Sequence, residues 1–166
     1  PEVIELAALL QQMGATISVD ADRVMTIVGV ENLSGFNHRA LTDRIEVASW
    51  ACAAAASCGE IFVRQAQQLP LMTFLNKFRQ IGGRFEINDE GIRFSRGPEL
   101  TATVLETDVH PGFMTDWQPP FTVLLTQAAG ASIVHETVYE NRFGYTAALC
   151  QMGANIELHR ECLGSK

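Results

Sequence analysis

Three stretches of the chain follow one pattern: Leu10-Gln-Gln-Met-Gly-Ala-Thr-Ile-Ser, Phe78-Arg-Gln-Ile-Gly-Gly-Arg-Phe-Glu and Leu149-Cys-Gln-Met-Gly-Ala-Asn-Ile-Glu. Each reads as the end of an amphipathic helix, a glycine just past that end, and a strand of alternating apolar residues. The glycines Gly14, Gly82 and Gly153 are separated by 68 and 71 residues. A second pattern recurs at a similar spacing. Thr42-Asp43 opens a helix that ends near Gly59, before a strand from Ile61 to Val63. Thr115-Asp116 opens one that ends near Gly130, before a strand from Ile133 to His135. Two independent patterns with one period make an internal repeat, and a repeat fixes most of what the chain can fold into.

Each repeat of roughly seventy residues reads strand, helix, strand, helix, strand, strand. The closing hairpins turn at Asp20-Ala-Asp22, between Thr16–Val19 and Val24–Val28, and at Asn88-Asp-Glu-Gly91, between Phe85–Ile87 and Ile92–Ser95. Both turns carry the Asp, Asn and Gly that tight connections demand. A helix over 70–81 starts with Pro and places Leu71, Phe74, Leu75, Phe78 and Ile81 on one face. By contrast, Val47 to Ser57 and Phe121 to Ala129 are apolar or small all round, and such helices need protein on every side. The fold class expected is therefore α/β (α+β): repeated βαβαββ units with small-residue helices buried inside and sheets outside. Residues 1–37 hold only a closing helix and hairpin. Residues 38–107 and 108–166 make two further repeats, the last ending at a strand over Ile156–Leu158. The chain opens on Pro1, and the expectation is a piece of a longer repeat protein.

Charge and composition narrow the function. Nineteen Asp and Glu against twelve Lys and Arg give a net charge of −7, which disfavours nucleic acid or an anionic membrane as partner. No apolar run reaches the eighteen or so residues that span a bilayer. The scatter of Cys52, Cys58, Cys150 and Cys162, with no C-x-x-C, suggests reduced thiols in the cytoplasm; only Cys162, near His159 and Arg160, has a basic neighbour, and none of the four is expected to be a catalytic nucleophile. His38, His135 and His159 share no ligand spacing, so neither a metal nor another cofactor is expected.

The stretch with most chemistry is His110-Pro-Gly-Phe-Met-Thr-Asp-Trp-Gln, where a strand over Thr101–Leu105 meets a tight loop and then a helix start. Such a junction presents backbone N–H groups and a carboxylate at one exposed point. Two readings stand for Thr115 and Asp116, a helix cap or a site. The same two stand for Asp43. Arg142, in Glu140-Asn-Arg142, reads as a surface ion pair or as lining for an anionic substrate. His110, before Pro111, reads as loop packing or as a partner to the cleft.

Four stretches in order, Pro1-Glu-Val-Ile-Glu-Leu with Met13-Gly-Ala-Thr-Ile-Ser, Thr42-Asp-Arg-Ile-Glu, the His110 loop, and Glu136-Thr-Val-Tyr-Glu-Asn-Arg-Phe, resemble the UDP-N-acetylglucosamine 1-carboxyvinyltransferase family. These are enolpyruvyl transferases of peptidoglycan synthesis, and the resemblance spans the whole chain. It implies an inside-out α/β architecture of two domains with the active site between them. It also implies transfer of the enolpyruvyl group of phosphoenolpyruvate to the 3-hydroxyl of UDP-N-acetylglucosamine, by addition and then elimination of phosphate. Carried over, Asp116 would be the general base facing that hydroxyl, and Val138 would contact the sugar nucleotide through its backbone. Asp43 and Arg44 would lie near the uridine, with Tyr139, Glu140 and Arg142 lining the cleft. Met114 stands where proline is frequent in the family, and Trp117, where a smaller apolar residue is common, would narrow the sugar pocket. Gly144-Tyr145 also departs from the commonest form. The family's Lys-Asn pair, reactive-cysteine loop and phosphate-binding arginines are not among these residues, so the chain by itself is expected to be inactive and to need the remainder of its parent. Two alternatives remain: a related enolpyruvyl transferase with another acceptor, such as the shikimate-pathway enzyme, and a non-catalytic module that binds a nucleotide-sugar or a protein partner.

Overall fold

A computed structural model describes residues 1–160. The chain forms two compact units, Pro1–Thr42 and Asp43 onward. In the first, helix α1 (Glu2–Gln12) leads through Gly14, at φ +104°, into an antiparallel hairpin of β1 (Thr16–Val19) and β2 (Met25–Val28). The Glu5 carboxylate accepts from the Leu41 N–H at 2.7 Å and lies 2.9 Å from His38 Nε2, which ties the trailing segment to the helix. Ala7 and Ile17 are the buried hydrophobic residues of this unit, while Val3, Ile4, Leu6, Ile27 and Phe36 are exposed.

The second unit begins with α2 (Arg44–Ala56), whose N-terminus is capped by Asp43. Its carboxylate accepts from the N–H groups of Ile45 and Glu46 at 2.8 and 3.2 Å, a cap usually worth about 1 kcal/mol. Strand β3 (Glu60–Arg64) follows, then a 3₁₀ turn over Leu69–Leu71 that contains Pro70, and α3 (Met72–Gln80). Next come β4 (Gly83–Asn88) and β5 (Gly91–Arg96), joined by a turn in which the Asn88 side chain accepts from the Glu90 and Gly91 amides. These strands make an antiparallel sheet in the order β3-β5-β4. Strand β6 (Val104–Glu106), helix α4 (Gln118–Leu125) and strand β7 (Ile133–His135) follow, and β6 pairs with β7 in parallel. The last element is α5 (Thr146–Gln151).

The core lies between α2, α3, α4 and the inner face of β5. Ala48, Ala51 and Ala55 let α2 approach closely, and Phe74 sits at the centre of a cluster with Phe78, Phe113, Trp117 and Phe121 at centroid distances of 5.6–6.4 Å. Each such aromatic pair adds about 0.5–1.5 kcal/mol beyond its buried area. The three repeat glycines share one backbone state, at φ +104°, +99° and +98° for Gly14, Gly82 and Gly153, as a C′ residue requires.

Four expectations need correction. The small-residue helix α2 is not covered all round: Glu46, Trp50, Ala53 and Ser57 form an exposed stripe along one side, with the Trp50 indole donating to Glu46 at 3.2 Å. Val123, Thr126 and Gln127 likewise leave one side of α4 open. The lack of a polar face says what a helix prefers, whereas what lies against each side is set by tertiary packing. Second, 156–158 is not a strand, and neither is any segment between β2 and α2, because no neighbouring strand among the described residues supplies their ladder bonds. Third, Thr115-Asp116 does not begin an α-helix directly; it forms a 3₁₀ turn over Thr115–Trp117. Finally, Trp117 is only 1% exposed, packed in the aromatic cluster, so it fills the core rather than narrowing a pocket beside Asp116.

Candidate functional site

The parallel pair β6–β7 places two loops side by side at its C-terminal end, where loops between parallel strands and helices characteristically carry binding groups. Their bases are joined by paired threonines. The Thr107 N–H donates to the His135 carbonyl at 2.9 Å and the Thr137 N–H to Thr107 Oγ1 at 2.9 Å, while Thr137 Oγ1 donates to the Thr107 carbonyl at 2.5 Å.

The first loop closes on itself through Asp108 N–H to the Phe113 carbonyl and Gly112 N–H to the Val109 carbonyl. At Gly112 an added Cβ would lie 2.5 Å from that of Asp108, so the loop admits no side chain there. The buried Phe113 and Met114 anchor its far end. Thr73 Oγ1 on α3 donates to the Pro111 carbonyl at 2.5 Å, and Arg44 Nη1 lies 2.9 Å from His110 Nδ1. His110 is thus an exposed residue tied to the start of α2 through Arg44.

Neither Thr115 nor Asp116 caps the helix. Met114 holds the extended cap position, and no side chain bonds to the first-turn amides. Thr115 is buried and donates its hydroxyl to Glu136 Oε2 at 2.9 Å. The Asp116 side chain is 40% exposed, and its Oδ1 accepts from Arg142 Nη2 at 2.6 Å. The Arg142 guanidinium also lies 5.4 Å from the centre of the Tyr139 ring. An ion pair this exposed is worth about 0–1 kcal/mol. Stability is therefore a weak reason for a carboxylate and a guanidinium to sit together at the loop mouth.

In the second loop, Glu136 Oε1 accepts from the Val138 and Tyr139 amides at 3.0 and 3.2 Å, and Asn141 takes a left-handed φ of +57° just before Arg142. Val138 is half-buried, and Tyr139 and Glu140 are exposed. The structure thus brings Asp116, Val138, Tyr139 and Arg142 to adjoining loops and leaves Glu140 on the same exposed segment. Asp43 and Arg44 are engaged at the start of α2, with Arg44 reaching the first loop at His110. Asp43 is occupied as a cap, and Arg44 is 6% exposed, its guanidinium 5.9 Å from the Trp117 ring centre and its carbonyl accepting from Trp117 Nε1 at 3.2 Å.

Sequence reasoning missed two neighbours. Glu136 follows directly on β7, and its only signal was membership of the Glu-Thr-Val-Tyr motif. Tyr145 accepts from Gln118 Nε2 at 2.6 Å; burial pushes its phenol pKa above the ordinary value, with Glu136 adding to the rise and Arg142 opposing it. Gln118 is fully buried on α4, and its Oε1 has no partner among the described residues. No group of three or more His, Cys, Asp or Glu able to hold a metal occurs among the described residues. No helix there is long and apolar enough to cross a membrane.

Residues 1–165 match the model of the EPSP synthase (3-phosphoshikimate 1-carboxyvinyltransferase) family. The chain is 54% identical, over its full length, to the UDP-N-acetylglucosamine 1-carboxyvinyltransferase of Protochlamydia amoebophila and 49% identical, over 99% of its length, to that of Chlamydia pneumoniae. It spans 36% of each of those proteins. Among solved structures, its fold is similar to that of the enolpyruvyl transferase NikO from Streptomyces tendae. The TM-score is 0.76 at 22% identity, covering 89% of this chain and 36% of that one.

Proposed function

This chain belongs to the EPSP synthase (3-phosphoshikimate 1-carboxyvinyltransferase) family, and from that premise we propose that its parent protein is a UDP-N-acetylglucosamine 1-carboxyvinyltransferase of peptidoglycan synthesis. The substrates are then UDP-N-acetylglucosamine and phosphoenolpyruvate, and the reaction takes place in the cytoplasm with no metal or other cofactor. Residues 1–37 close a preceding domain, and 38–107 with 108–166 supply two repeats of a second one. The rest of the active site, including the groups that bind phosphate, comes from the remainder of the parent.

The observation that carries this reading is the exposed Asp116 carboxylate, which is not spent on capping its helix and sits beside Arg142 on the loop next to Val138. In the proposed step, Asp116 orients the sugar 3-hydroxyl and takes its proton as the oxygen bonds to the central carbon of phosphoenolpyruvate, whose methylene carbon gains a proton. Loss of a proton from the methyl group so formed, and of phosphate from the central carbon, then restores the double bond. Held in place, such a carboxylate contributes by orientation and by general-base catalysis. Val138 holds the nucleotide sugar through its backbone, with Tyr139, Glu140 and Arg142 along the cleft. Asp43 and Arg44 are assigned to the uridine side, where they act by holding the α2 start and the His110 loop in place.

The test is Asp116→Asn in the full-length protein. Asn keeps an Oδ1 acceptor for Arg142 and so preserves the loop. The exchange removes the proton acceptor, and kcat should fall by about 10²–10⁴-fold with nucleotide-sugar binding largely retained. Turnover within a few-fold of the parent at saturating substrate would sink the assignment. A panel of acceptor hydroxyls under the same phosphate-release assay separates this reading from a family member with another acceptor.

A further inference from the structure

One carboxylate behind the site is bonded to both of its loops. Glu136 is the first residue after β7 and is half-buried. Its Oε1 accepts from the backbone amides of Val138 and Tyr139, and its Oε2 accepts from the Thr115 hydroxyl at 2.9 Å. Three donors from two loops thus converge on one side chain, and bonds to an ionised acceptor are stronger than those between neutral groups. The threonine pair Thr107–Thr137 joins the loops at their base. Glu136 reaches further out, to the residue immediately before Asp116 and to the amide of Val138 itself.

We propose that Glu136 is a positioning residue of the transferase. Through the Thr115 hydroxyl it sets the place of Asp116, and through the two amides it shapes the backbone at Val138. This rests on the reading of Asp116 and Val138 given above. The two oxygens make the two effects separable. Loss of the Thr115 bond shifts the group that acts on the hydroxyl, which is a kcat effect. Loss of the amide bonds loosens the segment that holds the nucleotide sugar, which is a KM effect.

The experiment measures kcat and both KM values in the full-length protein, with thermal unfolding as a check on folding. Thr115→Val removes the hydroxyl at nearly constant shape, and kcat should fall roughly 10- to 100-fold, since a misplacement near 1 Å can cost that much. The KM for nucleotide sugar should stay within about threefold, because binding that is uniform between ground and transition states is untouched. Thr115→Ser restores the bond and should restore kcat. Glu136→Ala should lower kcat similarly and also raise the nucleotide-sugar KM about tenfold, the worth of a hydrogen bond to a charged group. Its KM for phosphoenolpyruvate should not move. Glu136→Gln, whose amide offers oxygen to the two N–H groups and NH₂ to the Thr115 oxygen, should recover most of both losses.

Asp116→Asn, run alongside, distinguishes the failures. If it is impaired while Thr115→Val and Glu136→Ala keep parental kcat and KM, the positioning role is wrong and the function stands. If it turns over like the parent, the role given to Asp116 fails, and this inference, which rests on it, falls with it. Should Glu136→Ala not fold, Thr115→Val decides the matter. A fall in unfolding temperature with unchanged kcat per folded molecule, or no rescue by Thr115→Ser, would show a purely structural contact.

Discussion

The repeat glycines offer a test of how the helix ends are built. Gly82 and Gly153 occupy the same repeat position in the second unit, with φ of +99° and +98°, so Ala pays the same backbone penalty at each, about 1–2 kcal/mol for a left-handed L-residue. Removing glycine freedom from the unfolded chain returns about 0.4–1 kcal/mol at both. Their surroundings differ. At Gly153 an added Cβ meets nothing within 4 Å, whereas at Gly82 it would lie 2.3 Å from the Glu99 carbonyl oxygen. That stretch of backbone is held by Gly97 N–H to the Gly82 carbonyl at 2.7 Å and Thr101 N–H to the Ile81 carbonyl at 2.9 Å, so it cannot yield cheaply. Overpacking of this kind costs about 1–3 kcal/mol. Gly153→Ala should therefore lose about 1 kcal/mol and Gly82→Ala about 2–4 kcal/mol. Urea denaturation followed by the fluorescence of Trp117 and Trp50 reads the difference as a shift in midpoint at constant slope. Equal losses at the two positions would refute the close-approach argument and leave only the backbone term.

Two further outcomes follow from groups whose titration burial alters. Tyr145 has its phenol pKa raised in the fold; the folded state therefore favours the protonated form. That stability is complete below the ordinary tyrosine pKa and is lost as pH climbs through the raised value. Tyr145→Phe should cost about 1 kcal/mol at pH 8 through the lost Gln118 bond yet show a shallower loss in urea midpoint above pH 10, and identical alkaline slopes would contradict this. Cys52 is buried on α2 and its thiol pushed well up by burial, while Cys58 and Cys150 are exposed. Iodoacetamide followed by peptide mass spectrometry should mark Cys58 and Cys150 in the native protein and Cys52 only in denaturant; native labelling of Cys52 would show that the α2 core opens. Cys162 lies outside the described residues.

Much of the fold was legible because local chemistry decides it. Asn88 closes the β4–β5 turn through its own side chain, and the helix ends at Gly14, Gly82 and Gly153 need φ values that glycine alone takes easily. What was not legible depends on distant residues. The apolar periphery of α2 is a property of its sequence, but the exposure of Trp50 is a property of what packs beside it. The inward turn of Trp117 follows from Phe113, four residues before it, and from Phe74 and the Arg44 carbonyl, which are far from it in sequence. The site was legible as a stretch of residues and not as a set of contacts: nothing local says that Thr115 bonds to a carboxylate 21 residues on, or Asp116 to a guanidinium 26 residues on.

The repeated Thr-Asp pair shows how one local signal acquires two fates. At Asp43 the residue takes the extended cap position, φ −65° and ψ 106°, and its carboxylate turns back onto the Ile45 and Glu46 amides. In the second copy the extended position has moved to Met114, φ −61° and ψ 140°, so Asp116 lies inside the first turn, in a place from which its side chain cannot serve as the cap. The two residues after the aspartates, Arg44 and Trp117, then meet in the core, indole on carbonyl and guanidinium over ring. The contact locks the two helix starts together. The repeat thus supplies a matched pair of helix entrances, and a slip of two residues in the second turns a cap into an outward carboxylate. With its helix start held from behind by Trp117 and its neighbour Thr115 held by Glu136, Asp116 can stay exposed without being loose, which is the condition a proton acceptor in the proposed transfer has to meet.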